Sequence, residues 1–130
     1  MNPIRFYILT ISDRSARGDR PDVSGPALVQ AVTQHGHQVE GTALVPDEQS
    51  EIEQTLIRWS DDDHADIILT TGGTGFAPRD VTPEATIHVV QKLAPGLAEA
   101  MRAQSMQVTP HGMLSRAVAG IRGRTLIINL

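Results

Sequence analysis

The sequence predicts a single three-layer α/β domain with a mostly parallel central sheet flanked by helices, and three observations carry that expectation. Short apolar runs of strand length alternate with segments of helical periodicity. The connections carry glycine, proline and small polar residues, with no internal repeat and no linker. A length of 130 residues with 40% hydrophobic residues is one ordinary domain's worth of core, so residues 1–130 are read as one domain with one site.

Residues 4–11 are apolar, aromatic and β-branched and stop at Ser12-Asp13, which predicts a buried first strand. The stretch that follows, with Gly18, Pro21 and Asp22, has no period and reads as a polar loop. Ser24 before Gly25-Pro26, with Ala27, Leu28, Ala31 and Val32 behind it, predicts a helix capped by Ser24 and ended at Gly36. Residues 39–45 read as a second strand. From Asp47 to Asp61, Ile52, Leu56 and Trp59 share one face of an amphipathic helix, with Trp59 as its core anchor. Residues 66–71 form a continuous apolar strand of the kind buried on both faces, and it runs straight into Gly72-Gly73-Thr74-Gly75. Thr82 as cap, Pro83 and Glu84 start a helix predicted to carry Ile87, Val90, Lys92 and Leu93 and to end at Pro95-Gly96. Leu97, Met101, Gln104, Ser105 and Val108 predict another helix, Thr109-Pro110 a further start, and Thr125 to Leu130 a last strand.

Composition excludes several chemistries. Cysteine is absent, which removes disulfides, thiolate nucleophiles and zinc sites built on sulfur. The net charge of -4 argues against sequence-independent nucleic-acid binding, and no apolar run approaches the ~18 residues of a membrane span. The expected location is cytoplasmic. Charge is uneven, with 12 acidic and 5 basic residues in 1–66 against 3 and 6 in 67–130, and a basic second half suits an anionic small ligand. His35, His37, His64, His88 and His111 lack metal-ligand spacing, and neither a P-loop, a GxGxxG fingerprint nor a GxSxG elbow is present.

Parallel sheets bind ligands at the carboxyl ends of their strands, which selects the loops 12–24, 46–47 and 72–82. Gly72, Gly73, Thr74 and Gly75 offer consecutive backbone N–H groups to an anion, a plausible phosphate cradle; a bare strand-to-helix turn is the other reading. Asp47 and Asp80 fall on the same rim, and two carboxylates near phosphates are hard oxygen ligands for magnesium. Asp47 could equally cap the helix after it. Asp22 and Ser24 end the long first loop at a helix start, and Ser115-Arg116 pairs a hydroxyl with a guanidinium suited to phosphate, or is simply surface.

Taken in order, Ser12-Asp13, Asp22-Val23-Ser24-Gly25-Pro26, Val45-Pro46-Asp47-Glu48, Thr70-Thr71-Gly72-Gly73-Thr74-Gly75, Pro78-Arg79-Asp80-Val81-Thr82-Pro83-Glu84-Ala85-Thr86 and Met113-Leu114-Ser115-Arg116 resemble the molybdopterin adenylyltransferase family. The likeness extends to its bacterial members and to the G-domain type of gephyrin and its plant counterpart, and runs from the first strand to the last residue. The resemblance implies Mg²⁺-dependent transfer of AMP from ATP to the terminal phosphate of molybdopterin, giving adenylyl-molybdopterin and pyrophosphate. By the same resemblance Asp47 and Asp80 act at magnesium and triphosphate, Gly72 to Gly75 hold nucleotide phosphates, Asp22 lies beside the nucleotide, and Ser115 and Arg116 hold the pterin phosphate. It further implies a homotrimer and a downstream molybdenum-insertion protein as partner. Family members continue past the last strand with a PG-x-P loop and a closing helical segment, so a C-terminal segment is expected to be missing here. The alternatives are the related molybdate-insertion domain, which lacks the residues 78–86 block, and a non-catalytic pterin-binding or oligomerising module.

Overall fold

The β-branched, apolar runs of the sequence become the middle of the sheet. In the computed structural model, which describes residues 3–130, β1 (Arg5–Ile11) lies between β2 (Gln38–Val45) and β3 (Ile67–Thr71), and β3 pairs in turn with β6 (Thr125–Asn129). These four strands are parallel, and the register sets Ile11 against Val45, Thr10 against Thr71 and Thr70 against Asn129. Their carboxyl ends therefore share one rim. Two further strands, β5 (Ala119–Arg122) and β4 (Lys92–Leu93), extend the sheet antiparallel beyond β6, giving the order β2-β1-β3-β6-β5-β4.

Alternation along the strands sorts the core. Tyr7, Leu9 and Ile11 of β1, Ile68 of β3 and Ile127 of β6 pack with Ile52, Leu56 and Trp59 of α3 (Gln49–Asp61) and Ala85 and Val89 of α4 (Thr82–Val89). The Trp59 ring sits 5.2 Å from that of Tyr7, as a core anchor should. On the opposite face Ile8 of β1 is fully buried, while Ile67, Leu69, Leu126 and Ile128 are only half-buried. The helices on that side, α2 (Ser24–Gln34) and α5 (Pro95–Met106), pack toward the two ends of the sheet, α2 on β1 and β2 and α5 on β5 and β6.

The predicted α/β domain with a mostly parallel sheet is what forms, and several local expectations change. Ser24 does not cap α2: the Asp22 carboxylate accepts the Gly25 N–H at 3.0 Å, because a carboxylate two residues upstream reaches the free donor and the Ser24 hydroxyl does not. Thr82 does not cap α4 either. It is the first helical residue, and its hydroxyl donates instead to the Gly72 carbonyl at 2.9 Å. The helix stops at Val89 rather than running to Pro95-Gly96, leaving Ile87 half exposed, and the chain continues into β4 before Pro95 opens α5. Val108, expected on the buried face of α5, lies beyond its end and is 88% exposed. The loop after β1 contains a four-residue helix, α1 (Asp13–Ala16), capped by the Ser12 hydroxyl accepting from the Ser15 N–H. Residues 110–114 form a 3-10 turn capped by Thr109.

Candidate active site

Three strand ends supply the site, and each loop is shaped by a specific constraint. After β3 the backbone turns through φ +103° at Gly72 and +71° at Gly73, the left-handed region that glycine enters freely. Neither position has room for a side chain. A methyl group on Gly72 would meet the Ile11 carbonyl, and one on Gly73 the Thr82 hydroxyl, with Asp47 Oδ1 3.1 Å away. A methyl on Gly75 would lie 2.8 Å from Asp80 Oδ2. The glycine turn is thus flanked by the two predicted carboxylates, Asp47 at Gly73 and Asp80 at Gly75.

Asp47 does not cap α3, which settles one of its two sequence readings: Glu48 occupies the cap position and no side chain bonds the helix N-terminus there. The Asp47 carboxylate turns to the end of β1, where Oδ2 accepts the Asp13 N–H at 2.9 Å while Asp13 Oδ1 accepts the Asp47 N–H at 3.0 Å. Oδ1 of Asp47 accepts no hydrogen bond among the described residues and faces the glycine turn. Burial pushes the Asp47 carboxyl up from its ordinary value, assisted by the nearby charges of Asp13 and Asp80. Asp13 behaves oppositely. The Arg79 guanidinium, bonded to both its oxygens at 2.6 and 3.0 Å, holds its carboxyl down at about 2. Arg79 also reaches Glu48 at 2.8 Å.

Asp80 closes a tight turn in which Oδ2 accepts the Ala77 N–H at 2.9 Å and the Asp80 N–H donates to the Ala77 carbonyl. Its other carboxylate oxygen accepts nothing among the described residues. Arg116 straps this turn to the glycines: its N–H donates to the Thr74 carbonyl at 2.9 Å, and its guanidinium donates to the Gly75 carbonyl at 2.8 Å, the Asp80 carbonyl at 2.7 Å and Glu84 at 2.8 Å. The Glu84 carboxyl is held down by that contact. Ser115 stands beside the strap and lines a 550 Å³ groove with Arg102, Met101, Asn129 and Leu130. Asp22 receives the Thr10 hydroxyl at 2.9 Å and lines a 430 Å³ cleft with Ser12, Arg20, Ser24, Thr71 and Gly72. All the sequence-predicted positions therefore lie along one rim.

The donor set suits a hard cation better than a soft one. Asp47 and Asp80 each keep one carboxylate oxygen free of hydrogen bonds beside a turn whose three glycines admit no side chain, and no group of three or more His, Asp or Glu converges as a complete cage among the described residues. One or two carboxylates with the remaining positions left to phosphate oxygens and water is magnesium's usual requirement.

A family model described as a probable molybdopterin binding domain matches residues 7–130. The chain belongs to this family. Within the molybdopterin-binding family, it is 44% identical to the molybdopterin adenylyltransferase of Escherichia coli K12 over 133 residues, covering 100% of this chain and 68% of that protein. It is 47% identical to the molybdenum cofactor synthesis protein cinnamon of Drosophila melanogaster, again across the whole chain but spanning only 22% of cinnamon. The crystal structure of the molybdopterin biosynthesis enzyme MoaB from Thermus thermophilus superposes with a TM-score of 0.91 at 48% identity, covering 98% of this chain and 80% of that one.

Sequence reasoning passed over three residues that build the site. Asp13 is an acid directly after a strand, inside the loop 12–24 that the strand-end rule selects, but no catalytic or ligand-spacing motif singles it out within that loop. Glu48 adjoins Asp47 and carries no separate signal. Thr82 reads as a helix cap, and only the folded turn reveals that its hydroxyl and N–H hold the Gly72 and Gly73 carbonyls.

Proposed function

We propose that this protein is a molybdopterin adenylyltransferase of molybdenum cofactor biosynthesis, transferring AMP from ATP to the terminal phosphate of molybdopterin with release of pyrophosphate. The observation that carries the reading is the pairing of Asp47 and Asp80, each with an unbonded carboxylate oxygen, on either side of a turn whose three glycine positions have no room for side chains.

The nucleophile comes with the substrate. A phosphate-monoester oxygen of the pterin is already ionised at neutral pH, so attack on the α-phosphorus needs no cysteine, triad or strong general base. The new oxygen–phosphorus bond forms as the bond from the α-phosphorus to the bridging oxygen breaks, and pyrophosphate leaves with that electron pair. The chain's contribution is placement and charge. Gly72, Gly73, Thr74 and Gly75 give backbone N–H groups to the nucleotide phosphates, and Asp22 sits beside the nucleotide in its cleft. Asp47 and Asp80 are the residues that would hold Mg²⁺, which when bound neutralises triphosphate charge and polarises phosphoryl oxygens. Ser115, with Arg116 fixing the loop next to it, is assigned to the pterin phosphate. A homotrimer working in the cytoplasm and passing its product to a molybdenum-insertion protein completes the proposal; no helix among the described residues is long and apolar enough to cross a membrane.

Incubating the protein with molybdopterin, ATP and Mg²⁺ tests the reading. Adenylylated pterin and pyrophosphate in equal amounts support it, and pterin binding without product supports the non-catalytic module instead.

A further inference from the structure

Asp13, Asp47, Glu48, Asp80 and Glu84 crowd the rim, and Arg79 and Arg116 are the cations hydrogen-bonded to members of this group among the described residues. Arg116 is committed to the backbone of the glycine loop. Arg79 is different: its partners are two carboxylates from other loops, Asp13 after β1 and Glu48 after β2, and its side chain is 56% exposed. Asp13 meanwhile makes three contacts that do separate things. Its N–H fixes Asp47 Oδ2, its Oδ1 fixes the Asp47 backbone, and both its oxygens hold Arg79.

We infer that Asp13 is a positioning residue for the nucleotide site, one that aims the Asp47 carboxylate at the glycine turn and parks Arg79 until an anionic triphosphate competes for its guanidinium. Asp13 itself touches no substrate. Two adjacent carboxylates repel, and the arrangement persists because Arg79 neutralises Asp13, leaving the charge of Asp47 for a cation. A guanidinium that is 56% exposed and whose partners are carboxylates on separate loops can exchange them for phosphate oxygens that accept from the same donors. The bidentate fork that matches Asp13 also matches a phosphate. The catalytic half of this inference rests on the proposed adenylyl transfer; the binding half does not.

A double-mutant cycle on Asp13 and Arg79 tests it, with metal-free inorganic triphosphate as the probe, binding read by calorimetry and folding checked by thermal melting. Simply removing a negative charge near the anion would tighten binding equally whether or not Arg79 is present. Release of a parked guanidinium instead makes Asp13→Asn tighten triphosphate binding about threefold with Arg79 in place, and not in the Arg79→Gln background. Equal tightening in both backgrounds, or none in either, overturns the inference. If Asp13→Asn fails to fold, the same cycle with Glu48→Gln, at a half-exposed side chain, reads the same coupling and decides in the same way.

Asp13→Asn keeps an acceptor for the Asp47 N–H, whereas Asp13→Ala removes it. With molybdopterin, ATP and Mg²⁺, Asp13→Ala should lower kcat about tenfold or more while KM for ATP does not rise, because Asp47 is misaimed although the nucleotide still binds. A kcat within twofold of the parent overturns the positioning role. A parent protein that makes no adenylylated pterin would refute the adenylyltransferase reading, and the triphosphate cycle would still judge the Arg79 half on its own.

Discussion

Asp47 and Asp80 flank the same turn in different surroundings, and their substitutions should differ accordingly. Asp80 holds its turn through one oxygen, which an asparagine can reproduce with its amide oxygen. Asp80→Asn should therefore melt within a few degrees of the parent, bind pterin normally and lose about 100-fold or more in turnover, the scale of removing one preorganised charge; an unchanged rate at saturating Mg²⁺ and ATP would take Asp80 out of the mechanism. Asp47 is raised by burial, so its ionised form is disfavoured in the folded state. The sign follows directly. Near neutral pH the folded protein carries a penalty that the unfolded chain does not, and the penalty vanishes as pH falls below about 4, where the carboxyl is protonated in both states. Asp47→Asn should thus raise the melting temperature slightly at neutral pH, lose that advantage in acid, and abolish turnover; melting curves across pH read this out. For the parent, the acid limb of turnover should follow the raised Asp47 carboxyl and lie above the pH where an ordinary aspartate titrates, while Asp13, held down at about 2, stays charged throughout that limb.

The glycine turn is an element held from three sides, by its own φ angles, by Thr82 and by Arg116. Gly73→Ala meets both a left-handed backbone and the Thr82 hydroxyl, so it should destabilise by about 1–2 kcal/mol or more in chemical denaturation and weaken nucleotide binding as well. Arg116→Lys keeps the charge and loses the fork that spans the Gly75 and Asp80 carbonyls, and KM for ATP should rise several-fold with little change in melting temperature. Asn129 closes the arrangement from below. It is fully buried, donates to Thr70 and Thr86 at 2.9 and 3.0 Å and accepts the Val118 N–H at 3.1 Å, so Asn129→Ala leaves buried polar groups unpaired and should cost about 1–3 kcal/mol in the same assay. The glycines were legible in the sequence because three in four residues after an apolar strand is a strong local signal. Arg116 was legible as a cation and illegible as a strap, since its partners lie 32 to 41 positions away in the chain. The caps failed for two reasons: Thr82 finds the Gly72 carbonyl ten residues back only once the turn is folded, while at α2 two local candidates, Asp22 and Ser24, compete and the carboxylate takes the Gly25 N–H.

At the scale of the molecule, alternation of apolar runs with helical periodicity was enough to predict the parallel sheet and therefore the rim where Asp13, Asp47, the glycines and Asp80 meet. Strands β4 and β5 were not legible. They are two and four residues long, Gly120 interrupts one of them, and their stability comes from pairing with β6 and each other rather than from any run of their own. The predicted basic character of the second half also reads differently in three dimensions. The rim combines Asp13, Asp47 and Glu48 from the first half with Asp80, Glu84, Arg79 and Arg116 from the second, and its excess of carboxylates means that a bound triphosphate requires a cation before it reacts. That requirement is the centre of the account. The most direct test follows adenylyl-molybdopterin and pyrophosphate formed from molybdopterin and ATP as Mg²⁺ is titrated from zero in the presence of chelator. Both products should form in equal amounts, rising with Mg²⁺ and absent without it; equal rates with and without the cation, or pterin bound with no product at any Mg²⁺ concentration, would contradict a cation-dependent adenylyl transfer.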